Sequence, residues 1–382
     1  MKNFQIPLHV LSYIENSENE ILSLLKQLAV IPAPSGSEDL RAEFCAKKFK
    51  EFGLEAYIDE VKNVVCPINC ENADDITLFC AHTDVVFPDT TPLPLYEDEE
   101  YLHCPGIGDD TACLTLLMLA SKIAIDKYSP KKGILIVANS CEEGLGNLKG
   151  IKQIIKDFPT IKRVYTFDGQ YSTVVDTCVG SHRYLVEIKT EGGHSFGHFG
   201  NLSAIAVMSD FIYQLNKCTL PIKENTKTTF NVGTAEGGTS VNTIAQSALF
   251  TYEYRSNDME CLAFMKNFFE KTTREVRNDY PKAQINVKMI GDRPCGGNVD
   301  KDKLSKMCDD VICVYEKYSS MPPRKTMGST DCNIPMSLGI PAICVGNFIG
   351  NGAHTREEKV LKSSLVTGLK ITTHILLSYF NS

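Results

Sequence analysis

The sequence has no apolar run of roughly eighteen residues, the length a membrane-crossing helix needs, so no such helix is expected. Its first residues lack the charged, apolar and small-residue order of a secretory signal, and a cytoplasmic protein is the resulting expectation. No stretch rich in lysine or arginine relieves the net charge of -8, which argues against general nucleic-acid binding. A second cysteine pair is also missing, so Cys66 and Cys70 have no companions at a suitable zinc-site spacing. The 15 cysteines are odd in number and scattered, and several, such as Cys80 and Cys344, sit within apolar strands. Free buried thiols in a reducing compartment are expected.

What is present is enough chain for more than one core. At 382 residues and 43% hydrophobic content, two domains are expected. Residues with metal chemistry gather between Leu78 and Asp168. Ile76, Leu78 and Phe79, with the β-branched Thr77 among them, read as a buried strand. His82 and Asp84 sit two residues apart at its end, where extended chain points both side chains the same way. A metal-binding histidine needs its other ring nitrogen held by a carboxylate or carbonyl, which such a neighbour supplies. Taken alone, His-x-Asp is more often a solvated turn.

Gly106-Ile107-Gly108-Asp109-Asp110 turns into the apolar run 114–120, which puts both aspartates at a helix start, where carboxylates also serve as plain caps. Capping does not account for Glu142-Glu143 after the buried run 133–138, or for Asp168 after the run 164–167. Three strand ends thus deliver acids, and the first delivers a histidine as well. In an open parallel sheet, ligands collect at the carboxyl ends of the strands. His354 adds a second histidine near the C-terminus. Charge counting agrees with two divalent cations: their four positive charges balance Asp109, Glu143, Asp168 and a bridging hydroxide. Without metal the same acids would repel. Glu142 is then left over for acid-base work.

The order His-x-Asp, Gly-x-Gly-Asp-Asp, Glu-Glu, Asp, His resembles the aminoacylase, carboxypeptidase and peptidase T family of dizinc hydrolases. The likeness runs over nearly the whole chain. It includes Ile31-Pro32-Ala33-Pro34-Ser35-Gly36-Ser37-Glu38 near the start and Gly328-Ser329-Thr330-Asp331 near the end. The resemblance implies an α/β fold: a zinc-exopeptidase-like catalytic domain with a mostly parallel central sheet flanked by helices, plus an inserted α+β lid or dimerisation domain. It implies that Asp109 bridges two divalent ions, with His82 and Asp168 on one and Glu143 and His354 on the other. Asp84 would orient His82, and Glu142 would be the general base. Zinc suits this mixed shell, with manganese or cobalt as alternatives.

The pattern of elements divides the chain at 1–180, 181–295 and 296–382. Helical spacing runs from Leu8 to Ile31, Ser37 is placed to cap a helix ending near Phe52, and 84–106 reads as a proline- and acid-rich loop on the rim. His103 falls there without a role. The middle segment reads as strands and two helices forming a compact antiparallel sheet domain. Its Glu191-Gly192-Gly193-His194-Ser195 resembles the family's lid segment, whose histidine reaches the reacting carbonyl, in dimeric members across the subunit interface. Asn242, within Gly237-Gly238-Thr239-Ser240-Val241-Asn242, and Arg255 resemble the lid residues that hold the substrate's polar end, and a planar guanidinium suits a carboxylate. His198 is given no role. Gly328 and Ser329 could present backbone amides to a substrate terminus, or simply form a turn. Glu357 reads as a helix-start acid.

The expected activity is metal-dependent hydrolysis of small peptides by a homodimer, with Glu142 as base and His194 and the metals stabilising the oxyanion. Aspartate at the Asp168 position goes with aminopeptidase, tripeptidase and dipeptidase members of the family, and glutamate with carboxypeptidases and aminoacylases. N-acyl amino-acid deacylation and carboxypeptidase action are the enzymic alternatives, and a metal-free peptide-binding protein is the non-enzymic one. The sequence departs from the family in having Thr111 where a lysine is common and Pro105 where an arginine is often found. Neither position is a metal ligand.

Overall fold

In the computed structural model, Met1 and residues 4–380 are described. They fall into two compact units: Met1–Cys178 with Gly297–Ser382, and Val179–Gly296.

The first unit is built on an eight-stranded sheet. Its strand order is Tyr57–Ile58, Val64–Ile68, Gly133–Asn139, Ile76–His82, Ile161–Phe167, Ala342–Val345, Thr173–Cys178, Arg324–Gly328. The four central strands run parallel, Val64–Ile68 on one side and Thr173–Cys178 on the other pair antiparallel with them, and the edge strand Arg324–Gly328 runs parallel to Thr173–Cys178. Gly133–Asn139 and Ile76–His82 are buried at every position. Continuous apolar runs such as Gly133-Ile-Leu-Ile-Val-Ala are what a strand covered on both faces requires. Burial of each valine, leucine or isoleucine contributes about 1.5–3 kcal/mol. One face packs on the helices Glu18–Ala29, Cys113–Lys127 and Ser364–Phe380 through Leu25, Leu28, Leu116, Ala120, Leu369 and Ile375, and the other on Lys149–Asp157 through Ile151 and Ile154. In register, His82 lies opposite Asn139 and Phe167 opposite Val345. The parallel strands therefore end side by side, and the residues that follow them emerge together.

Three local expectations are corrected. Ser37 does not cap a helix: the helix is Asp39–Glu51, its cap position is Glu38, and no side-chain capping bond forms. The segment read as a rim loop contains the strands Tyr96–Glu97 and Tyr101–His103, which join Lys359–Leu361 and Gly350–Asn351 in a small antiparallel sheet. Tyr101–His103 finds its second partner, Lys359–Leu361, some 250 residues away in the chain, so no local pattern announces this sheet. His103 is buried there, stacked on Tyr96 at 4.3 Å and bonded to Asp98 at 2.8 Å. Glu357, read as a helix-start acid, precedes a strand instead and is exposed.

The second unit is a four-stranded antiparallel sheet, ordered Thr228–Gly237, Ser247–Ser256, Gly180–Lys189, Gln284–Arg293. Strand Ser247–Ser256 alternates strictly between buried and less buried residues, as a half-covered sheet demands. Its inward Phe250, Tyr252 and Tyr254 pack with Phe211 and Phe269 of the helices Ala204–Asn216 and Met259–Asp279. All 15 cysteines of the chain are free thiols. Among the described residues no helix is long and apolar enough to cross a membrane.

Candidate metal centre

His82 closes its strand with both ring nitrogens engaged. Nδ1 lies 3.0 Å from the backbone carbonyl oxygen of Asp84 and 3.4 Å from its Oδ1, so the neighbour two residues on fixes the ring. Nε2 faces Asp109, 3.1 Å from Oδ1. The other oxygen of Asp109, Oδ2, is 3.1 Å from His354 Nε2, which also lies 3.0 Å from Glu143 Oε1. Asp109 thus turns one oxygen to each histidine, the disposition of a carboxylate shared between two ions. Asp168 follows the strand ending at Phe167. Ligand atoms of His82, Asp109 and Glu143 lie within 4.8 Å of one another, and so do those of His82, Asp110 and Asp168.

The electrostatics are those of acids crowded around histidines. Hydrogen bonds donated to Asp109 and Glu143 push the His354 imidazole up to about 10. Burial works against a charge on His82, yet Asp110, Asp109 and Asp84 together hold it well above the ordinary histidine range. Burial, then the charges of Asp109, Glu143 and Asp331, push Asp168 up to about 7, against the pull of His82. Asp109 is itself held well below the usual carboxylate range, because its bonds to His354 and His82 outweigh its burial. Protons here neutralise repulsion that a divalent cation would neutralise more fully. Imidazole nitrogens and carboxylate oxygens are donors that zinc, manganese and cobalt accept. The residues present fit such ions.

Asp84 does more than orient His82. Fully buried, it accepts bonds from Ser35 Oγ at 2.6 Å and from the backbone amides of Glu142 and Glu143, both at 2.9 Å. One carboxylate therefore sets the imidazole and both glutamates. Burial disfavours its charge, but His82, Ser35 and the Glu143 amide hold it below the usual range. Glu142, at 5% exposure, and Glu143, at 6%, follow on the turn after Asn139.

Several residues that hold the site escaped the sequence reading. Asp110 does not cap a helix: it is fully buried and its Oδ2 accepts the His82 backbone amide at 2.9 Å. Glu38, at the end of the quoted Ile31–Glu38 motif, accepts from the Gly36 amide at 2.8 Å and the Cys141 amide at 3.1 Å, next to Glu142. Arg41, fully buried, donates to the Ile31 carbonyl, the Thr83 carbonyl at 2.9 Å and Thr111 Oγ1 at 3.1 Å. The unusual Thr111 is thus a partner of a buried guanidinium. Glu358, four residues after His354, accepts three backbone amides of the Gly106–Asp109 turn. That spacing from a candidate ligand was the one signal the sequence offered.

Gly328 ends the edge strand, and Ser329 follows it. Their neighbour Asp331 is buried and accepts Asn139 Nδ2 at 2.7 Å, which pins this segment to the end of a central strand. In the second unit, His194 pairs with Thr243 in a two-residue ladder, and the Ser195 amide donates to the Asn242 carbonyl at 3.0 Å. His194 Nδ1 accepts the amides of Phe196 and Gly197, both at 3.2 Å. The neutral ring must then carry its proton on Nε2. Asn242 Oδ1 accepts from Ser240 Oγ at 2.7 Å. Arg255 is bonded through Nε and Nη2 to Glu253, at 3.0 and 3.1 Å.

Known proteins share this architecture. A tripeptidase from Staphylococcus aureus superposes with a TM-score of 0.74 at 22% identity, over 96% of this chain and 99% of that one. The dipeptidase Dug1p from Saccharomyces cerevisiae superposes with a TM-score of 0.75 at 15% identity, over 98% of each chain. In sequence, the uncharacterized protein YqjE of Bacillus subtilis is 22% identical over 381 aligned positions, which cover 94% of this chain and 98% of YqjE. The profile of peptidase family M20/M25/M40 matches residues 78–378, the span that holds every candidate metal ligand from His82 to His354, and the chain belongs to that family of metallohydrolases.

Proposed function

We propose that the protein is a dimetal exopeptidase that cleaves the amide bond of small peptides, of aminopeptidase, tripeptidase or dipeptidase type. The observation that carries the reading is Asp109, with Oδ1 toward His82 and Oδ2 toward His354. His82, Asp109 and Asp168 would hold one divalent cation, and Asp109, Glu143 and His354 the other, with zinc the best match to the donors. When bound, such ions acidify water and polarise a carbonyl.

The chain's own residues supply the rest. Glu142 takes the proton from the attacking water and returns it to the leaving nitrogen, while Asp84 fixes its backbone. His194, protonated on Nε2, is assigned as donor to the oxygen on which charge develops. Asn242 and Arg255 are assigned to the substrate's polar end, and Arg255 must leave Glu253 to take a carboxylate. Gly328 and Ser329 are assigned to its other end. Asp168, aspartate where related deacylases tend to carry glutamate, favours peptides over N-acyl amino acids. The second unit is assigned as a lid and homodimer contact.

The test is a panel of di- and tripeptides set against N-acyl amino acids and peptides with a blocked N-terminus, with metal content measured on the same sample. Cleavage of free-amine peptides is expected to dominate. Preference for N-acyl amino acids would replace this reading with a deacylase.

A further inference from the structure

Glu358 is a carboxylate that the chemistry above does not use, yet it is only 2% exposed and sits against a candidate ligand. Its Oε2 accepts the Gly106 amide at 2.7 Å, and its Oε1 accepts the Gly108 amide at 2.9 Å and the Asp109 amide at 2.8 Å. Its own backbone carbonyl accepts the Cys104 amide at 3.1 Å. The turn is shaped to receive it. Gly106 has φ 74°, and a Cβ on Gly108 would meet Glu358 Oε1 and the Phe348 ring, each at 2.8 Å.

Burying a carboxylate beside Asp109 is costly, and bonds to its charged form offset that. A neutral apolar side chain here would leave three amides of the turn unsatisfied. The hairpin that carries Glu358 also carries His354, held by the pairing of Gly350–Asn351 with Lys359–Leu361. His354 reaches Asp109 Oδ2 from one side while Glu358 grips the Asp109 amide from the other.

From this geometry we infer that Glu358 is a positioning residue: it fixes the backbone of Asp109 so that both carboxylate oxygens serve two ions, and it locks the His354 hairpin to that ligand. The inference rests on the reading of Asp109 as the shared ligand.

Two substitutions test it from opposite sides of the contact. Glu358→Gln keeps the size but sets an amide N–H₂ against a backbone N–H. Gly108→Ala keeps the carboxylate and its charge but pushes it out of its seat. Zinc affinity and stoichiometry are measured on the purified full-length protein by competition with a chromophoric chelator, beside kcat and KM on a cleaved peptide. Loss of outer contacts of this kind lowers metal affinity about 10–100-fold. Both variants are expected to fall in that range and to lose kcat while KM changes less than about twofold. If Gly108→Ala binds zinc as the wild type does, the effect of Glu358→Gln is one of charge alone and the positioning role is overturned. Wild-type affinity in both overturns it as well. Asp109→Asn is run in parallel: if that variant keeps two tight ions, the shared-ligand reading itself falls, whatever the other two variants do. Should Glu358→Gln fail to fold, Gly108→Ala decides alone.

Discussion

The candidate residues of the two units are held in opposite ways. In the first unit, Asp84, Asp110 and Glu358 are buried and bonded to backbone amides, so the candidate ligands Glu143, His82 and Asp109 are each fixed through a carboxylate behind them. In the second unit, His194, on its two-residue strand, and Asn242, beside the partner strand, are exposed near the exposed Phe196, Phe199 and Val241, and they are held chiefly by bonds within and between those two short segments. A metal centre needs ligands fixed to within fractions of an ångström, which buried bonds provide. Contacts to varied peptides tolerate, and gain from, adaptable loops.

The largest contrast should come from Asp109→Ala. Removing the shared ligand should abolish binding of both ions together and take activity below detection, as read by metal analysis after gel filtration. Full occupancy of two ions would break the assignment. Next is Glu142→Gln, which keeps the side-chain volume but accepts no proton. It should retain metal and lose roughly 100-fold or more in rate, and survival of more than about a tenth of the rate would sink the general-base role. His194→Ala sharpens the comparison from the other unit: metal content and melting temperature unchanged, with rate down by roughly 100-fold if it stabilises the oxyanion. Loss of metal in that variant would erase the distinction between the two units.

The smallest effect concerns protons. In the metal-free protein, His354 is raised from 6.5 to about 10, so the stability it contributes is full below 6.5 and is lost as pH rises through about 10. Asp168 is raised from 3.8 to about 7, and its contribution is lost as pH rises from 3.8 through about 7. Both losses run in the same direction, so the melting-temperature gap between metal-loaded and metal-free protein should widen from about pH 6 to about pH 8. Metal binding should release more protons at the lower pH, where Asp168 still carries one. Calorimetry in buffers of differing ionisation heat measures that number, and equal release at both values would contradict the link.

Much of the first unit was legible because its strands declare themselves: Gly133-Ile-Leu-Ile-Val-Ala can only be a covered strand or a buried helix, and its acids follow at once. The inserted sheet was legible for a related reason, the alternation in 247–256. What stayed hidden depends on contacts distant in sequence. Glu358 has its partners about 250 positions away, and beside Glu357 nothing local says which glutamate is buried. Asp110 looked like a helix cap because the sequence places an acid before a helix, while its actual partner is an amide at the end of another strand. Arg41 stayed unnoticed, since a fully buried guanidinium satisfied by carbonyls and a hydroxyl has no sequence signature.

The placement of His354 has one more consequence. It meets Glu143 across 211 positions of chain, and the whole second unit lies between them in sequence. Ions held there as proposed would act as a clasp, closing a loop whose entropy the unfolded chain would otherwise regain. A chelator should therefore do more than stop the reaction: it should lower the melting temperature of the first unit. A nick within the insertion should leave the two halves joined through the pairing of Ala342–Val345 with Ile161–Phe167 and Thr173–Cys178, and the ions should make that join harder to melt.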